Sequence, residues 1–439
     1  QMNGLESERN LLAKKSNNLN GTIAISGDKS ISHRAIMISM LAEGKTNIYN
    51  FLESEDTLIT INVARQLGIN INQHSNYFEV EGNGLNGIQQ PNESLYFGNS
   101  GTSMRLFMGI LSAQNFPSIL TGDESLSNRP MERVAEPLRK MGANINMEND
   151  KAPISIYPAK KLMGVEHVLD IPSAQVKSAI LLAALYVNSK TVVVSESITR
   201  NHTELMLQYF KYPIKYNDKK IELNTGKLRS IDKLEIPCDF SSAAFLILAT
   251  ILAKNSHIVL ENVGLNPTRI GFLKILEMMG ANIKTNIDQN QFEPSGTIEI
   301  KSSQLHGIDV PKYLIPLSID ELPLVFLAAA CAKGITTVKN ANELRLKESD
   351  RIKSMKTILT AFSINVVEHN DGLTIEGGRI KGGEINSFGD HRIAMTALIA
   401  SVCSEDDVLV KNTKNIDTSF PDFVAVMNKI GLNIQPLEN

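Results

Sequence analysis

The chain of 439 residues has only three cysteines, Cys238, Cys331 and Cys403, which stand far apart in apolar or helix-like surroundings. That scarcity excludes a disulfide framework and predicts reduced, buried thiols, as in a cytoplasmic protein. An excess of one charge is also missing: 44 Lys and Arg against 47 Asp and Glu leave a formal net charge of −3. A nucleic-acid or membrane-surface binder would show a basic surplus, so neither partner is expected. The longest nearly continuous apolar run, Ala243 to Ala253, is too short for a bilayer. The chain does not open on a basic-then-apolar leader. The eight histidines show neither HxH nor HExxH spacing, and no metal is expected. The stretch "SGDKSISHRA" sets a lysine and a serine at the head of an apolar helix, as a phosphate-binding loop does. It lacks that loop's glycines, with Asp28 directly before Lys29.

What the chain does have is repetition. "VARQLGINI" (63–71) returns as "LRKMGANI" (138–145), "LEMMGANI" (276–283) and "VMNKIGLNI" (426–434). Weaker copies end at Ile214 and Val366. Each reads as the end of an amphipathic helix, a turn often made by glycine, then a strand. Upstream of each copy, a polar turn near Asp28, Asn99, Ser173, Asp239, Asp320 or Asp390 opens a helix apolar on every face. Such helices belong inside a core. The unit is strand, buried helix, strand, amphipathic helix, strand, and six copies divide most simply as three plus three. Parallel buried helices would gather their N-termini, with their free N–H groups, on one face of each domain.

Lys29, Arg34, Arg105 and Arg392 sit at or near the starts of buried helices, and Arg129, Arg200, Lys347 and Arg351 near the starts of amphipathic ones. A helix dipole disfavours cations there, so an anion is needed to offset them. The carboxylates available are mainly Asp28, Asp320, Glu348 and Asp390. Asp28, Asp239 and Asp390 read as N-caps, His33 and His391 as helix-start hydrogen bonders, and Lys177 and Arg105 as structural. Asp320 and Glu348 remain as a pair available for proton transfer.

The ordered set "GDKSISHRA", "GNSGTSMRL", "RPM", "SAQVKSAILLA", "RNHTE", "CDFSSAAF", "NPTR", "DELP", "LRLKESDRI", "GDHRIAM" and "SFPDF" resembles the 5-enolpyruvylshikimate-3-phosphate synthase family from about Gly27 to Phe423. The resemblance implies an α/β fold of two domains, each of three βαβαββ units, an inside-out α/β barrel. The domains would be 23–237, and 1–22 with 238–439, with the active site in the cleft between them. It implies transfer of the enolpyruvyl group of phosphoenolpyruvate to the 5-hydroxyl of shikimate 3-phosphate by addition and elimination, without a cofactor. By motif position, Ser30, Arg34, Ser173, Gln175, Arg200, Asp320 and Lys347 would contact shikimate 3-phosphate. Lys29, Asn99, Gly101, Arg129, Arg351 and Arg392 would hold phosphoenolpyruvate. Asp320 would take the proton of the 5-hydroxyl, Glu348 would protonate the methylene carbon, and Lys29 would share in proton transfer. The partners implied are these two small molecules, and the protein would be a monomer.

Departures from the family pattern include Ala174 in place of a serine common in the family, and Thr418 where some members carry lysine. A related transferase acting on UDP-N-acetylglucosamine typically has a cysteine in the loop before its "RP" motif. Here that loop, "TGDESLSNRPM", has none. A non-catalytic phosphometabolite sensor on the same scaffold would keep the arginines and could dispense with Asp320 and Glu348.

Overall fold

The computed structural model describes residues 9–288 and 291–437. It divides into two compact units. One runs from Ser26 to Pro237 and includes a short segment ending at Glu293, and the other takes the rest of the chain.

The second repeat shows the unit in full. A strand Leu95–Tyr96 leads to the buried helix Gly101–Ser112, then a strand Ser118–Thr121, the helix Glu132–Lys140, and a hairpin Asn144–Glu148/Lys151–Tyr157. Its sheet pairs the first strand parallel to the second, and the hairpin completes it antiparallel. The third repeat has the same strand order. In the first repeat the opening strand comes from far along the chain: Lys233–Glu235 lies parallel to Glu43–Tyr49. The fourth repeat is completed reciprocally, with Asn20–Ile23 parallel to His257–Gly264. Ile23, expected to start the first domain, therefore closes a strand of the other unit. In the sixth repeat the fourth strand is Asn10–Lys14, antiparallel to both Val408–Lys411 and Asn433–Leu437. The fifth repeat has a three-stranded sheet, and an isolated bridge from Asp309 to Thr337 stands where an opening strand would be.

The six buried helices are Lys29–Leu41, Gly101–Ser112, Ala174–Ala184, Phe240–Leu252, Leu322–Cys331 and His391–Ile399, apolar except for polar residues mostly near their starts, and almost every residue in them is buried. Covering each Leu, Ile or Phe removes about 1.5–3 kcal/mol of exposed apolar cost. Small residues let these helices approach closely: a Cβ on Gly109 would meet the Ala179 carbonyl oxygen at 2.2 Å. Five of the six starts are capped by a side chain, those of Asp28, Ser100, Ser173, Asp239 and Asp390. The fifth instead enters through a 3-10 turn, Ile319–Glu321, that carries Asp320.

Candidate active site

In the first three repeats, polar groups cluster at the buried-helix starts. Asp28 accepts from the Ile31 N–H at 2.7 Å and so fixes the first turn that holds Lys29 and Ser30. Lys29 Nζ lies 2.6 Å from Oδ2 of Asp56, in the first turn of the helix Glu55–Gln66. Asp56 was missed by sequence reasoning, because an acidic residue just inside a capping box reads equally well as a dipole partner.

Arg34 is buried one turn into its helix. Its Nε donates to Thr203 Oγ1 at 2.8 Å, Nη1 to the Ser30 carbonyl at 2.9 Å, and Nη2 to Ser178 Oγ at 3.1 Å. All three acceptors are neutral. Burial pulls its pKa down to about 10, Glu204 and Asp28 counter this only in part, and Arg200 adds to the fall. A buried guanidinium whose hydrogen-bond acceptors are all neutral can take an incoming anion.

Gly101 follows its cap Ser100, and a Cβ there would stand 2.5 Å from Arg129 Nη1 and 3.2 Å from Arg105 Nη1. The missing side chain therefore makes room for two guanidiniums at a helix N-terminus. Asn99 donates to Asp123 Oδ1 at 3.2 Å. Ser173 caps its helix through the Val176 N–H at 3.3 Å. Gln175 accepts from Arg105 at 2.7 Å and donates to Thr102 Oγ1 at 3.0 Å, so Arg105 orients a candidate ligand contact. Lys177 forms a buried ion pair with Glu204 at 2.9 Å and donates to Thr199, in keeping with its structural reading. Arg200 is half-buried just before the helix that supplies Thr203.

The last three repeats bring together a different set. Arg351 is fully buried, and its Nε lies 2.9 Å from Asp390 Oδ2 while Nη2 lies 2.7 Å from Glu348 Oε2. Nη1 is 3.7 Å from Asp320 Oδ1, which is also 3.6 Å from Lys347 Nζ. Burial alone would lower the guanidinium's pKa, but Asp390 and Glu348 outweigh it and hold Arg351 above its ordinary value. Burial likewise pushes the Asp390 carboxyl up, and Arg351 overrides that, holding it below the usual carboxylate range. Asp390 thus does more than cap: it accepts from the Arg392 N–H at 3.0 Å while pairing with Arg351 and taking a hydrogen bond from Ser349. The Arg392 side chain is half-buried at the same helix start.

Two further groups, absent from the expected site, position it. Arg345 ties the loop before Lys347 down through Asp350, Glu368 and the carbonyls of His369 and Asn370. Asp239, the cap of helix Phe240–Leu252, pairs with buried Arg269, which donates to Ser241, and Ser241 donates to Glu321 beside Asp320. Among the described residues, no group of three or more His, Cys, Asp or Glu is arranged to hold a metal ion.

Repeated βαβαββ units with cations and carboxylates collected at their helix starts define an α/β protein equipped for small, multiply charged anions. The family model for EPSP synthase (3-phosphoshikimate 1-carboxyvinyltransferase) matches residues 13–427. The 3-phosphoshikimate 1-carboxyvinyltransferase of Legionella pneumophila (strain Lens) is 44% identical over 97% of this chain and 99% of its own length. That of Coxiella burnetii (strain RSA 493 / Nine Mile phase I) is 42% identical over 96% and 97%. The solved EPSP synthase structure from Acinetobacter baumannii superposes with a TM-score of 0.87 at 42% identity, covering 98% of this chain and 100% of that one. The chain belongs to the EPSP synthase family.

Proposed function

We propose that the chain transfers the enolpyruvyl group of phosphoenolpyruvate to the 5-hydroxyl of shikimate 3-phosphate and releases phosphate, a step toward chorismate and the aromatic amino acids. The family match over residues 13–427 supports the reaction. The observation that carries the chemistry is Arg34, a buried cation whose hydrogen-bond acceptors are all neutral. Both substrates are multiply charged anions, so this guanidinium gains on binding what burial takes from it.

Ser30, Arg34, Ser173, Gln175, Arg200, Asp320 and Lys347 are assigned to shikimate 3-phosphate. Lys29, Asn99, Gly101, Arg129, Arg351 and Arg392 are assigned to phosphoenolpyruvate. Asp320 accepts the proton of the 5-hydroxyl as its oxygen bonds to C2 of phosphoenolpyruvate, and Glu348 delivers a proton to the methylene carbon. The tetrahedral adduct then loses a methyl proton and expels phosphate, which restores the double bond. Lys29, held by Asp56 at 2.6 Å, offsets the negative charge and shares in proton transfer. Arg351 keeps Glu348 in place from 2.7 Å. Among the described residues no helix is long and apolar enough to cross a membrane. A cytoplasmic monomer taking only these two small molecules is the reading the resemblance supports.

The test is phosphate release with both substrates present and with each omitted in turn. Release that needs shikimate 3-phosphate specifically is expected; tight binding of it without turnover would identify a sensor instead. Glu348→Gln should lower kcat by about 100-fold or more. Turnover near the wild-type rate would remove Glu348 from the acid role.

A further inference from the structure

Cys331 and Cys403 are separated by 72 positions in the chain, yet their sulfurs lie 3.2 Å apart. Cys331 is the last residue of the buried helix Leu322–Cys331, and Cys403 follows the 3-10 turn Ala400–Val402 that extends the helix His391–Ile399. Both thiols are free and half-buried, whereas Cys238 is buried with its Sγ directed at the Ile25 carbonyl oxygen at 2.9 Å. The sulfurs therefore meet where the fifth and sixth buried helices end. The groups assigned to substrate, Asp320 and Arg392, stand at the opposite, N-terminal ends of the same helices. The enolpyruvyl transfer proposed above makes no use of either thiol.

We propose that Cys331 and Cys403 form a dithiol that peroxide converts reversibly into a disulfide, a modification site separate from the catalytic groups. The sulfurs need to close by only about 1.2 Å to reach bonding distance. The neighbouring Cys403 sulfur and burial push the Cys331 thiol well up, and we assign the first attack to its partner, Cys403. The Cys403 thiolate attacks one peroxide oxygen, the O–O bond breaks, and hydroxide leaves, forming a sulfenic acid. Cys331 sulfur then attacks Cys403 sulfur; the S–S bond forms, the S–O bond breaks, and the departing hydroxide takes up the thiol proton as water. In total, two thiols and one hydrogen peroxide become one disulfide and two waters. The bond closes a long loop that contains Lys347, Glu348, Arg351 and Asp390, so it stabilises the last three repeats by restricting their unfolded chain.

The experiment starts from the fully reduced protein and adds hydrogen peroxide in slight excess. Remaining thiols are blocked with iodoacetamide, and the unreduced digest is mapped by mass spectrometry. The expected product is one cross-linked peptide pair joining residues 331 and 403, lighter than its two parts by two hydrogens and released by dithiothreitol. The oxidised protein should melt roughly 5 °C higher than the reduced one, and the gain should vanish on reduction. In Cys331→Ser, a sulfenic-acid probe such as dimedone should label Cys403. Alkylation of both cysteines in the treated wild type, oxidation of either to sulfinic acid without a cross-link, or dimedone-silent Cys403 in the variant would each overturn the proposal.

Discussion

Arg34 and Arg351 are both guanidiniums buried near helix starts, and their surroundings are opposite. Arg34, in the first three repeats, is held by two hydroxyls and a backbone carbonyl. Arg351, in the last three, is held by carboxylates, with Asp390 and Glu348 within 3 Å. Burial lowers the pKa of the first to about 10, and ion pairing raises that of the second. The first donates to neutral oxygens, and the second holds two carboxylates directly and organises them. The fold thus buries a guanidinium near the start of each kind of helix, the all-buried Lys29–Leu41 and the amphipathic Arg351–Ala361, in opposite electrostatic settings.

The largest effect that tests this contrast is on stability. Arg351→Met strips Asp390 of its partner inside the protein and should cost about 3–5 kcal/mol, read as a lowered denaturant midpoint. Arg34→Met breaks no direct carboxylate pair, because the nearby buried Glu204 keeps Lys177 as its partner, so its stability cost should stay within about 1–2 kcal/mol. Its KM for shikimate 3-phosphate should instead rise by about 100-fold, the loss of a charge-assisted contact. Equal stability losses in the two variants would break the comparison.

Two glycines on the helix Gly101–Ser112 leave room for different neighbours. A Cβ on Gly101 reaches Arg129 Nη1, the far end of a flexible side chain, whereas one on Gly109 reaches the backbone oxygen of Ala179. Gly101→Ala should raise KM for phosphoenolpyruvate by about 10-fold, corresponding to about 1.4 kcal/mol, with little change in stability. Gly109→Ala should cost about 1–3 kcal/mol of stability, because helix backbones must separate. Steady-state kinetics paired with urea unfolding on both variants separates the two outcomes.

The two halves should also respond differently to acid. Burial, with Lys29 and Arg34 nearby, holds the pKa of His33 well below its ordinary value, and burial with Lys140 holds His167 at about 4. For a histidine lowered in the folded state, the unfolded chain binds the extra proton. Stability is therefore full above about pH 6.5 and declines as pH falls through that value toward the folded pKa. For Asp390, lowered by Arg351 against the effect of burial, the contribution is present above about pH 4 and is lost below it. Peptide-resolved hydrogen exchange across pH 7 to 5 should show the His33 helix loosening while the Asp390 helix holds. His33→Gln should flatten that slope, and an unchanged slope would remove His33 as its source.

Much of this was legible in the sequence because the signals are local. The caps Asp28, Asp239 and Asp390 announce themselves one to three residues before an apolar helix, and the six helix ends share a tag. The partners were not legible, because pairing is decided by the fold. Asp56 for Lys29, Glu204 for Lys177, Thr203 for Arg34 and Asp390 for Arg351 all lie on, or cap, other helices, as many as 169 positions away in the case of Thr203. The two neighbouring cysteines were hidden for the same reason. The exchange of opening strands between the first and fourth repeats was likewise invisible to periodicity, which sees a strand and not its neighbour.

The smallest effect concerns the repeat itself. All six amphipathic helices end in the same pair of backbone hydrogen bonds. In the first repeat Ile69 N–H donates to Ala64 C=O and Gly68 N–H to Arg65 C=O, and the equivalents recur at residues 142–143, 211–212, 280–281, 363–364 and 431–432. This is a Schellman motif, whose turning residue needs positive φ. Four copies use glycine, at Gly68, Gly142, Gly280 and Gly431, and the two weaker tags use Lys211 at φ 63° and Ser363 at φ 67°. A side chain in that region costs about 1 kcal/mol. Lys211→Gly and Ser363→Gly should therefore each gain up to about 1 kcal/mol, reduced by the greater freedom glycine has in the unfolded chain. Gly280→Ala, whose Cβ would come nearest to the His306 ring at 3.2 Å and the Gln304 carbonyl oxygen at 3.4 Å, should lose about 1 kcal/mol. Opposite signs in a denaturation series would establish that the weak tags are the same turn under strain. A loss in all three variants would instead mean that Lys211 and Ser363 contribute contacts that outweigh their backbone cost, and that the six ends are equivalent in geometry but not in energy.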